Sequence, residues 1–150
     1  MSQDPDLLGK VELSLRSSPA LSTSFLGKDH RPVAEIIAAD AATLARLGIT
    51  ATDLAKRMQG LAAIARQNLE VPVVVGRIEV YCQQWKGRIG CPWPGCGLFD
   101  KTVTVARHLD KGIAASWTDL NMHLIAEHGF FEGIGSPFRV EPQVLVQLLA

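Results

Sequence analysis

The sequence has no excess of charge of either sign. Its 15 basic and 15 acidic side chains leave a formal net charge of zero, and the balance is local, with eight of each in residues 1–70 and seven of each in residues 71–150. Proteins that bind nucleic acids or anionic membranes through charge carry a basic surface. The charge balance therefore argues against both kinds of partner.

Long apolar runs and an export signal are also missing. No stretch approaches the roughly 20 apolar residues of a membrane span, and the first six residues include two acids and no basic region. We therefore expect a cytoplasmic protein without a membrane partner. Cysteine is scarce as well, and three residues, an odd number, predict reduced thiols rather than a disulfide framework.

Helical periodicity is present in the first half of the chain. Residues 1–30 alternate short apolar clusters with turn-forming residues, which predicts an arm with one helical or strand segment. From Pro32 an apolar stripe runs to Leu47 and ends at a glycine, a common helix stop. A second helix is predicted from Thr50 to about Leu69. These two helices are expected to form a hairpin.

The second half of the chain has the pattern of strands followed by helices. From residue 71, β-branched residues replace the alanines, and alternation of apolar and polar residues indicates strands. The predicted strands are residues 77–85, 101–108 and 113–116, and the predicted helices run from Trp117 to His128 and from Pro142 onward.

Two cysteines and two histidines have the spacing of a metal site. Cys91 and Cys96 enclose Pro-Trp-Pro-Gly, and His123 and His128 lie on a predicted helix, which gives C-x4-C-x26-H-x4-H. Two thiolates and two imidazoles satisfy a tetrahedral zinc ion. The alternative is that the cysteines are small buried hydrophobes and the histidines lie on a solvated helix face. We predict that zinc is bound by these four residues.

The surroundings of these four residues resemble a two-Cys-two-His zinc finger over residues 80–131. Phe99 and Leu120 stand where that family has an aromatic and a leucine core residue. The interval from Cys96 to His123 is about twice the family's usual ~12 residues, which predicts an inserted hairpin. The cysteine loop also resembles those of treble-clef and zinc-ribbon modules, so the subtype stays open.

The spacing of the two histidines constrains the geometry of the predicted helix. Residues five apart on a regular helix point about 140° away from each other. We therefore expect the last helical turn to loosen, which Gly129 directly after His128 would permit. The whole chain is then predicted to be α+β: an N-terminal helical hairpin, a short antiparallel β-sheet, a zinc-stapled ββα-like C-terminal half and a final short helix. Residues 1–70 would form the arm and hairpin and residues 71–150 the zinc module, within one compact unit.

The remaining candidate residues receive simpler interpretations. A core position is expected for Cys82, an exposed or near-site position for His108, and a solvated position for His30. The tryptophans are expected to cover the zinc site and fill the core rather than form a binding surface; they are Trp85, Trp93 and Trp117. The glycine-rich segment 129–137 lacks the preceding strand and following lysine of a phosphate loop, so a packed turn is expected.

Three classes of function are compatible with this pattern. The first is an interaction or regulatory module with structural zinc, which would bind a protein partner or form a homodimer through the hairpin. The second is a nucleic-acid-binding protein. The zinc-finger resemblance would place base-reading residues at Ser116, Asp119 and Met122, and none of these is the arginine that reads guanine. If the two predicted helices form a helix-turn-helix instead, Lys56 and Arg57 would lie on the recognition helix. The third is a His-Asn-His nuclease built from His108, Asn121 and His128. We expect the first, with no catalytic residues.

Overall fold

The computed structural model of the protein describes residues 4–149, so Met1 to Gln3 of the arm and Ala150 lie outside the described residues. The helices are α1 (Pro5–Ser17), α2 (Pro19–Phe25), α3 (Val33–Leu47), α4 (Ala51–Asn68), α5 (Asp119–His128) and α6 (Pro142–Leu149). The strands are β1 (Val73–Val75), β2 (Ile78–Gly90), β3 (Leu98–His108) and β4 (Ala114–Thr118). The predicted α+β class is confirmed. Within residues 4–149, no helix is long and apolar enough to cross a membrane.

The N-terminal arm contains two helices, so the prediction of a single segment was wrong. Each helix begins with a polar cap followed by proline at the first helical position. The Asp4 carboxylate accepts from the Asp6 amide at 3.0 Å, and the Ser18 hydroxyl accepts from the Leu21 amide at 3.4 Å. A cap residue before proline is a helix-start signal, and it was present in the sequence at both places.

The two helices of the predicted hairpin are confirmed to within one residue of the predicted limits. Gly48 ends α3 in the left-handed region, at φ 76°, and the Thr50 hydroxyl caps α4 by accepting from the Asp53 amide at 3.1 Å.

A buried acid on α3 was not expected. Asp40 accepts two hydrogen bonds from Arg139, at 2.8 and 3.0 Å, so a charge pair ties the hairpin to the C-terminal loop.

The sheet has the order β1-β2-β3-β4 and is antiparallel throughout. The two middle strands are longer than predicted. They continue past their neighbours as a two-stranded ribbon in which residues 84–90 of β2 pair with residues 98–102 of β3. The register shifts between Trp85 and Arg88, where β2 bulges. This ribbon carries the Cys91–Cys96 loop at its tip, so the loop closes a hairpin instead of following an isolated strand.

Two apolar clusters hold these elements together. The first lies between one sheet face and the helices α4, α5 and α6, and it includes Met58, Val80 and Trp117. The second joins the arm to the cysteine loop and α5, and it includes Leu15, Trp93, Leu124 and Phe130. Both clusters take residues from either side of residue 70. The arm therefore packs directly on the half of the chain that carries the cysteines and histidines.

The glycine-rich segment after α5 is a turn that packs on the end of α2. The Gly133 amide donates to the Phe25 carbonyl at 2.8 Å, and the Lys28 amide donates to the Ile134 carbonyl at 3.0 Å. A Cβ on Gly133 would lie 2.3 Å from the Leu26 carbonyl oxygen. The glycines thus allow two backbones to approach closely, which explains their presence without a phosphate ligand.

Candidate metal centre

The two cysteines stand at either end of a tight loop on the ribbon tip. The loop is closed by the Cys91 amide, which donates to the Gly97 carbonyl at 3.3 Å. Gly95 and Gly97 have φ of 81° and 82°, a region that residues with a side chain rarely adopt. The Trp93 amide donates to the sulfur of Cys91. These turns bring both sulfurs to the same side of the ribbon.

The two histidines are positioned by α5, which begins two residues later than predicted. Thr118 caps the helix by accepting from the Asn121 amide at 3.0 Å, while the Asn121 side chain accepts from the Thr118 amide at 2.9 Å. Trp117 belongs instead to β4, where it pairs with Thr104. The capping box fixes the start of the helix and thereby the rotation of His123 toward the loop.

The end of α5 also differs from expectation, because its last turn does not loosen. Gly129 adopts φ 62°, its amide donates to the Ile125 carbonyl at 3.1 Å, and the Phe130 amide donates to the Leu124 carbonyl at 3.1 Å. This is a regular glycine-ended helix terminus. The histidine rings nonetheless lie with centroids 5.2 Å apart and planes at 81°. Side-chain rotation therefore overcomes the angular separation that the backbone imposes.

The structure brings the four predicted residues together. Their ligand atoms all lie within 4.8 Å of one another, so the four residues could hold one metal ion. His128 Nε2 is 3.6 Å from the sulfur of Cys91 and 3.6 Å from that of Cys96. In a tetrahedron with Zn–S of about 2.3 Å and Zn–N of about 2.0–2.1 Å, sulfur and nitrogen are separated by about 3.6 Å. These two sulfur–nitrogen distances are therefore compatible with donors that share one tetrahedral metal ion.

Aromatic rings enclose the four donors. Trp93 stacks on His128 with centroids 4.0 Å apart, and Phe99 lies against His123 with centroids 4.4 Å apart. Phe99 is the aromatic residue that the zinc-finger resemblance had placed beside the site. Because the arm packs over Trp93, the donors are shielded from solvent on that side.

Burial decides the protonation of the donors when no cation is bound. It lowers the pKa of His128 to about 4, with a further contribution from His123, and it lowers the pKa of His123 despite the charge of Glu127. It also raises the pKa of Cys91 to about 12, against the opposing Trp93 amide. Both imidazoles are therefore neutral and can donate a lone pair. The thiols would release protons when a metal binds.

One donor atom supports metal binding independently of spacing. His123 Nε2 is buried and has no hydrogen-bond partner among residues 4–149. Buried polar atoms in folded proteins are nearly always paired, because leaving one unpaired costs about 1–3 kcal/mol. A metal ion among the four donors would satisfy this nitrogen.

The residues of the alternative functions are placed elsewhere. His108 Nδ1 accepts from the Asp110 and Lys111 amides at 3.2 Å each, nine residues along β3 from Phe99 and thus roughly 30 Å from the cysteine loop. Asn121 is committed to the capping box. The residues of a His-Asn-His site are therefore not gathered.

The base-reading positions implied by the zinc-finger resemblance are not presented to a groove either. Met122 is buried, and Asp119 pairs with Arg66 of α4. Ser116 lies on β4 rather than on the helix. Lys56 and Arg57 are exposed on α4.

The remaining candidates mostly lie where expected. Cys82 is buried in the first apolar cluster, where burial raises its pKa, and His30 is exposed. Trp93 covers the site and Trp117 fills the core, as predicted. Trp85 does neither, since 62% of its surface is exposed.

Sequence reasoning missed a buried polar network beside the metal centre. Glu132 accepts from Asn121 Nδ2 at 2.8 Å and lies 2.9 Å from the Ser136 hydroxyl, and its backbone carbonyl accepts from Arg139 at 2.6 Å. Its backbone has φ 72°, which is unusual for a residue with a side chain. The only sequence signal is an acid inside an apolar, glycine-rich segment, which is weak evidence for burial.

Comparison of the chain with protein-family models, curated proteins and solved structures finds no match. A functional assignment therefore depends on the geometry of the site itself.

Proposed function

We propose that this protein is an interaction module whose fold is completed by one structural zinc ion. The ion would be held by Cys91, Cys96, His123 and His128 and would fix the ribbon tip to α5. The observation that carries the proposal is the convergence of these four donor atoms within 4.8 Å. The unpaired, buried Nε2 of His123 supports it.

The donor set favours zinc and a structural role. Two sulfurs and two imidazole nitrogens in tetrahedral arrangement suit Zn²⁺ better than metals that prefer oxygen ligands or square-planar geometry. Four protein donors leave no coordination position for water or substrate, which a hydrolytic zinc site requires. The rings of Trp93 and Phe99 further limit access to the donors. We therefore propose that this centre binds a structural metal ion and does not catalyse a reaction.

The ribbon explains why a metal would be needed. Beyond the four-stranded part of the sheet only two strands remain paired, and an isolated two-stranded hairpin is marginally stable in water. The ion would link the tip of this ribbon to α5, which is anchored in both apolar clusters. In zinc-finger peptides the apparent contribution of the metal is about 10–16 kcal/mol. Loss of the ion should thus release the ribbon tip and the arm that packs on it.

Surface features support a protein partner or a second copy of this chain. The outward side of α3 exposes six alanines: Ala34, Ala38, Ala39, Ala41, Ala42 and Ala45. An apolar groove of about 300 Å³ lies beside them, at the turn between α3 and α4. Small residues allow close approach of another helix, and zero net charge offers little repulsion against pairing. Homodimerisation through the hairpin is therefore part of the proposal.

Metal content tests the proposal directly. Protein purified under reducing conditions without added metal should contain one zinc per chain by elemental analysis. Cys96→Ser should lose the metal and unfold at least residues 90–130, visible as collapse of their amide resonances. Cys82→Ala is the matched control, because it removes a thiol from the other cluster and should retain the metal.

Two outcomes would contradict the proposal. The first is a zinc content near zero in freshly purified, reduced and folded protein that also takes up no added zinc. The second is full retention of metal by Cys96→Ser, which would place the ion elsewhere. Substitution with Co²⁺ distinguishes a tetrahedral thiolate site, which absorbs visible light strongly, from adventitious binding to surface histidines.

A further inference from the structure

A cleft of about 960 Å³ opens on the sheet face opposite α4. Its floor is formed by the paired strands β2 and β3, where Gln83 faces Val103 and Trp85 faces Lys101. Its other wall is formed by the end of α2 and by the loop after α5, which contribute Phe25 and Phe138. The volume lies in the range of about 300–1,000 Å³ that is typical of small-molecule sites.

Most of the cleft surface is apolar. The side chains that form it belong to Phe25, Trp85, Ile89, Val103, Leu120 and Phe138. Trp85 is largely exposed and provides a broad ring face at the opening, while Leu120 is buried beneath it. Such a lining would bury an apolar or aromatic body and would not hold a small hydrated ion alone.

Two lysines line the cleft, one of them because of the bulge in β2. Consecutive residues of a regular strand point to opposite faces, yet Trp85 and Lys86 both line the cleft. The bulge at this point, with Gly87 at φ 99°, turns Lys86 toward the same side. Lys101, opposite Trp85, extends its side chain past Gly87. Two lysines thereby line the same apolar cleft.

These lysines are not neutralised by acids of the chain. Neither forms a salt bridge with a residue in the described range 4–149. The nearest acid along the strand, Asp100, pairs with Arg88 at 3.3 Å. The cleft therefore presents positive charge although the protein as a whole is neutral.

One acid, Glu132, lines the cleft, and donors of the chain itself hold its carboxyl. The Ser136 hydroxyl lies 2.7 Å from the Ser24 carbonyl and 2.9 Å from Glu132 Oε1. Both oxygens can accept from the Ser136 hydroxyl, and Glu132 Oε2 also accepts from Asn121 Nδ2 at 2.8 Å. Burial raises the pKa of Glu132 to about 7, against the hydrogen bonds from Ser136 and Asn121. Its negative charge is therefore reduced near neutral pH, and its oxygens are occupied by these two donors.

We propose that this cleft binds an organic anion with a bulky apolar body, such as a fused-ring carboxylate or sulfonate. The anionic group would lie between Lys86 and Lys101, and the body would pack on Trp85 and the apolar walls. Charge complementarity selects an anion, and the depth and lining of the cleft select the apolar body. This ligand site is distinct from the metal centre and does not depend on the identity of the metal.

A matched pair of fluorescent probes separates the two requirements. 8-Anilinonaphthalene-1-sulfonate carries the anion, and N-phenyl-1-naphthylamine has the same rings without it. With the full-length, metal-loaded protein, we expect the sulfonate to bind at one site per chain. The variant Lys86→Met/Lys101→Met should weaken sulfonate binding about tenfold and leave binding of the neutral amine unchanged.

The control variant is Lys10→Met/Lys56→Met, which removes the same charge from α1 and α4. Equal weakening by both double variants would overturn the proposal, because it would mean that net charge alone attracts the probe. Sulfonate binding that occurs only after removal of the metal would also overturn it, because that result indicates a loosened core.

Amide shifts in ¹⁵N-labelled protein locate the bound probe. The proposal predicts sulfonate-induced shifts at Trp85, Lys86, Lys101 and Thr118. Shifts confined to Ala41 and Ile49 would assign the probe to the groove between α3 and α4, which lacks a cation, and would overturn the proposal. Tighter binding of a single-stranded oligonucleotide than of the sulfonate, with shifts at Tyr81 and Val105, would also overturn the proposal. These residues lie farther along the same sheet face, so shifts there would indicate an extended nucleic-acid surface.

Discussion

The indole of Trp93 lies parallel to the imidazole of His128, with centroids 4.0 Å apart and planes inclined by 7°. The same indole meets Phe130 edge-on at 5.6 Å. The six-residue loop that supplies both cysteines therefore also covers one of the histidines. This contact couples the loop to the end of α5 without any metal. Loss of the Trp93 ring that covers His128 should therefore also weaken metal binding by His128.

Replacement of Trp93 tests this coupling. Trp93→Ala should destabilise the metal-loaded protein by about 3–5 kcal/mol, because it removes a fully buried aromatic side chain. It should also speed the loss of zinc to a chelator, since His128 loses the ring that holds its orientation. Urea unfolding and chelation kinetics measure the two effects. Trp85→Ala is the control and should change the free energy of unfolding by less than about 1 kcal/mol, since Trp85 is largely exposed.

The parts of the fold that could be predicted are those encoded by nearby residues. The helices α3 and α4 follow from an apolar stripe, a glycine stop and a threonine cap, which are all local features. The metal donor set was likewise visible because Cys91 and Cys96, and then His123 and His128, are close pairs in sequence. The inserted hairpin between the pairs is present as β3 and β4.

The parts that could not be predicted depend on contacts between distant residues. The ribbon extends to Gly90 because β3 pairs with it, although its own residues have little apolar alternation. Asp40 is buried because Arg139, 99 positions away, reaches it. The cleft exists only once the sheet, α2 and the last loop are assembled. Periodicity within one segment carries no information on such pairings.

The contact between the arm and the last loop depends on the absence of a side chain at Gly133. Gly133→Ala should destabilise the protein by about 1–3 kcal/mol or more, since a Cβ there would lie 2.3 Å from a backbone oxygen of Leu26. Gly60→Ala on α4 meets nothing within 4 Å and should be neutral or stabilising by up to about 1 kcal/mol. Denaturant unfolding of both variants gives the comparison. Equal effects would show that the arm is not held by this backbone contact.

Self-association through the hairpin is expected from the exposed side of α3. The arm packs on the buried side of this helix, around Val33 and Ile36, and leaves the alanines uncovered. Sedimentation at micromolar concentration should therefore show a dimer. Ala41→Arg, beside the apolar groove, should give a monomer, whereas Ala63→Arg on the exposed side of α4 should not. A clean monomer of the unmodified protein would contradict the prediction.

Glu132 should make stability depend on pH in the direction opposite to most acids. Its pKa is about 7 in the folded protein, above the ordinary value of 4.5. Between these values the folded state holds a proton that the unfolded chain has lost. The contribution is thus fully present below the ordinary pKa and is lost as the pH rises through 7. It amounts to about 3 kcal/mol, at 1.36 kcal/mol per unit of pKa.

Glu132→Gln isolates this contribution, because glutamine can donate to the Ser136 oxygen and accept from Asn121 without titrating. The burial of His128 lowers its pKa to about 4 and acts with the opposite sign, but it is common to both proteins and cancels in the difference. We expect the stability of Glu132→Gln relative to the unmodified protein to rise between about pH 5 and pH 8. Urea unfolding at several pH values measures this difference, with the exposed substitution Glu70→Gln as the control. A difference that does not change with pH would mean that Glu132 is ionised throughout, and would contradict the raised pKa that its burial implies.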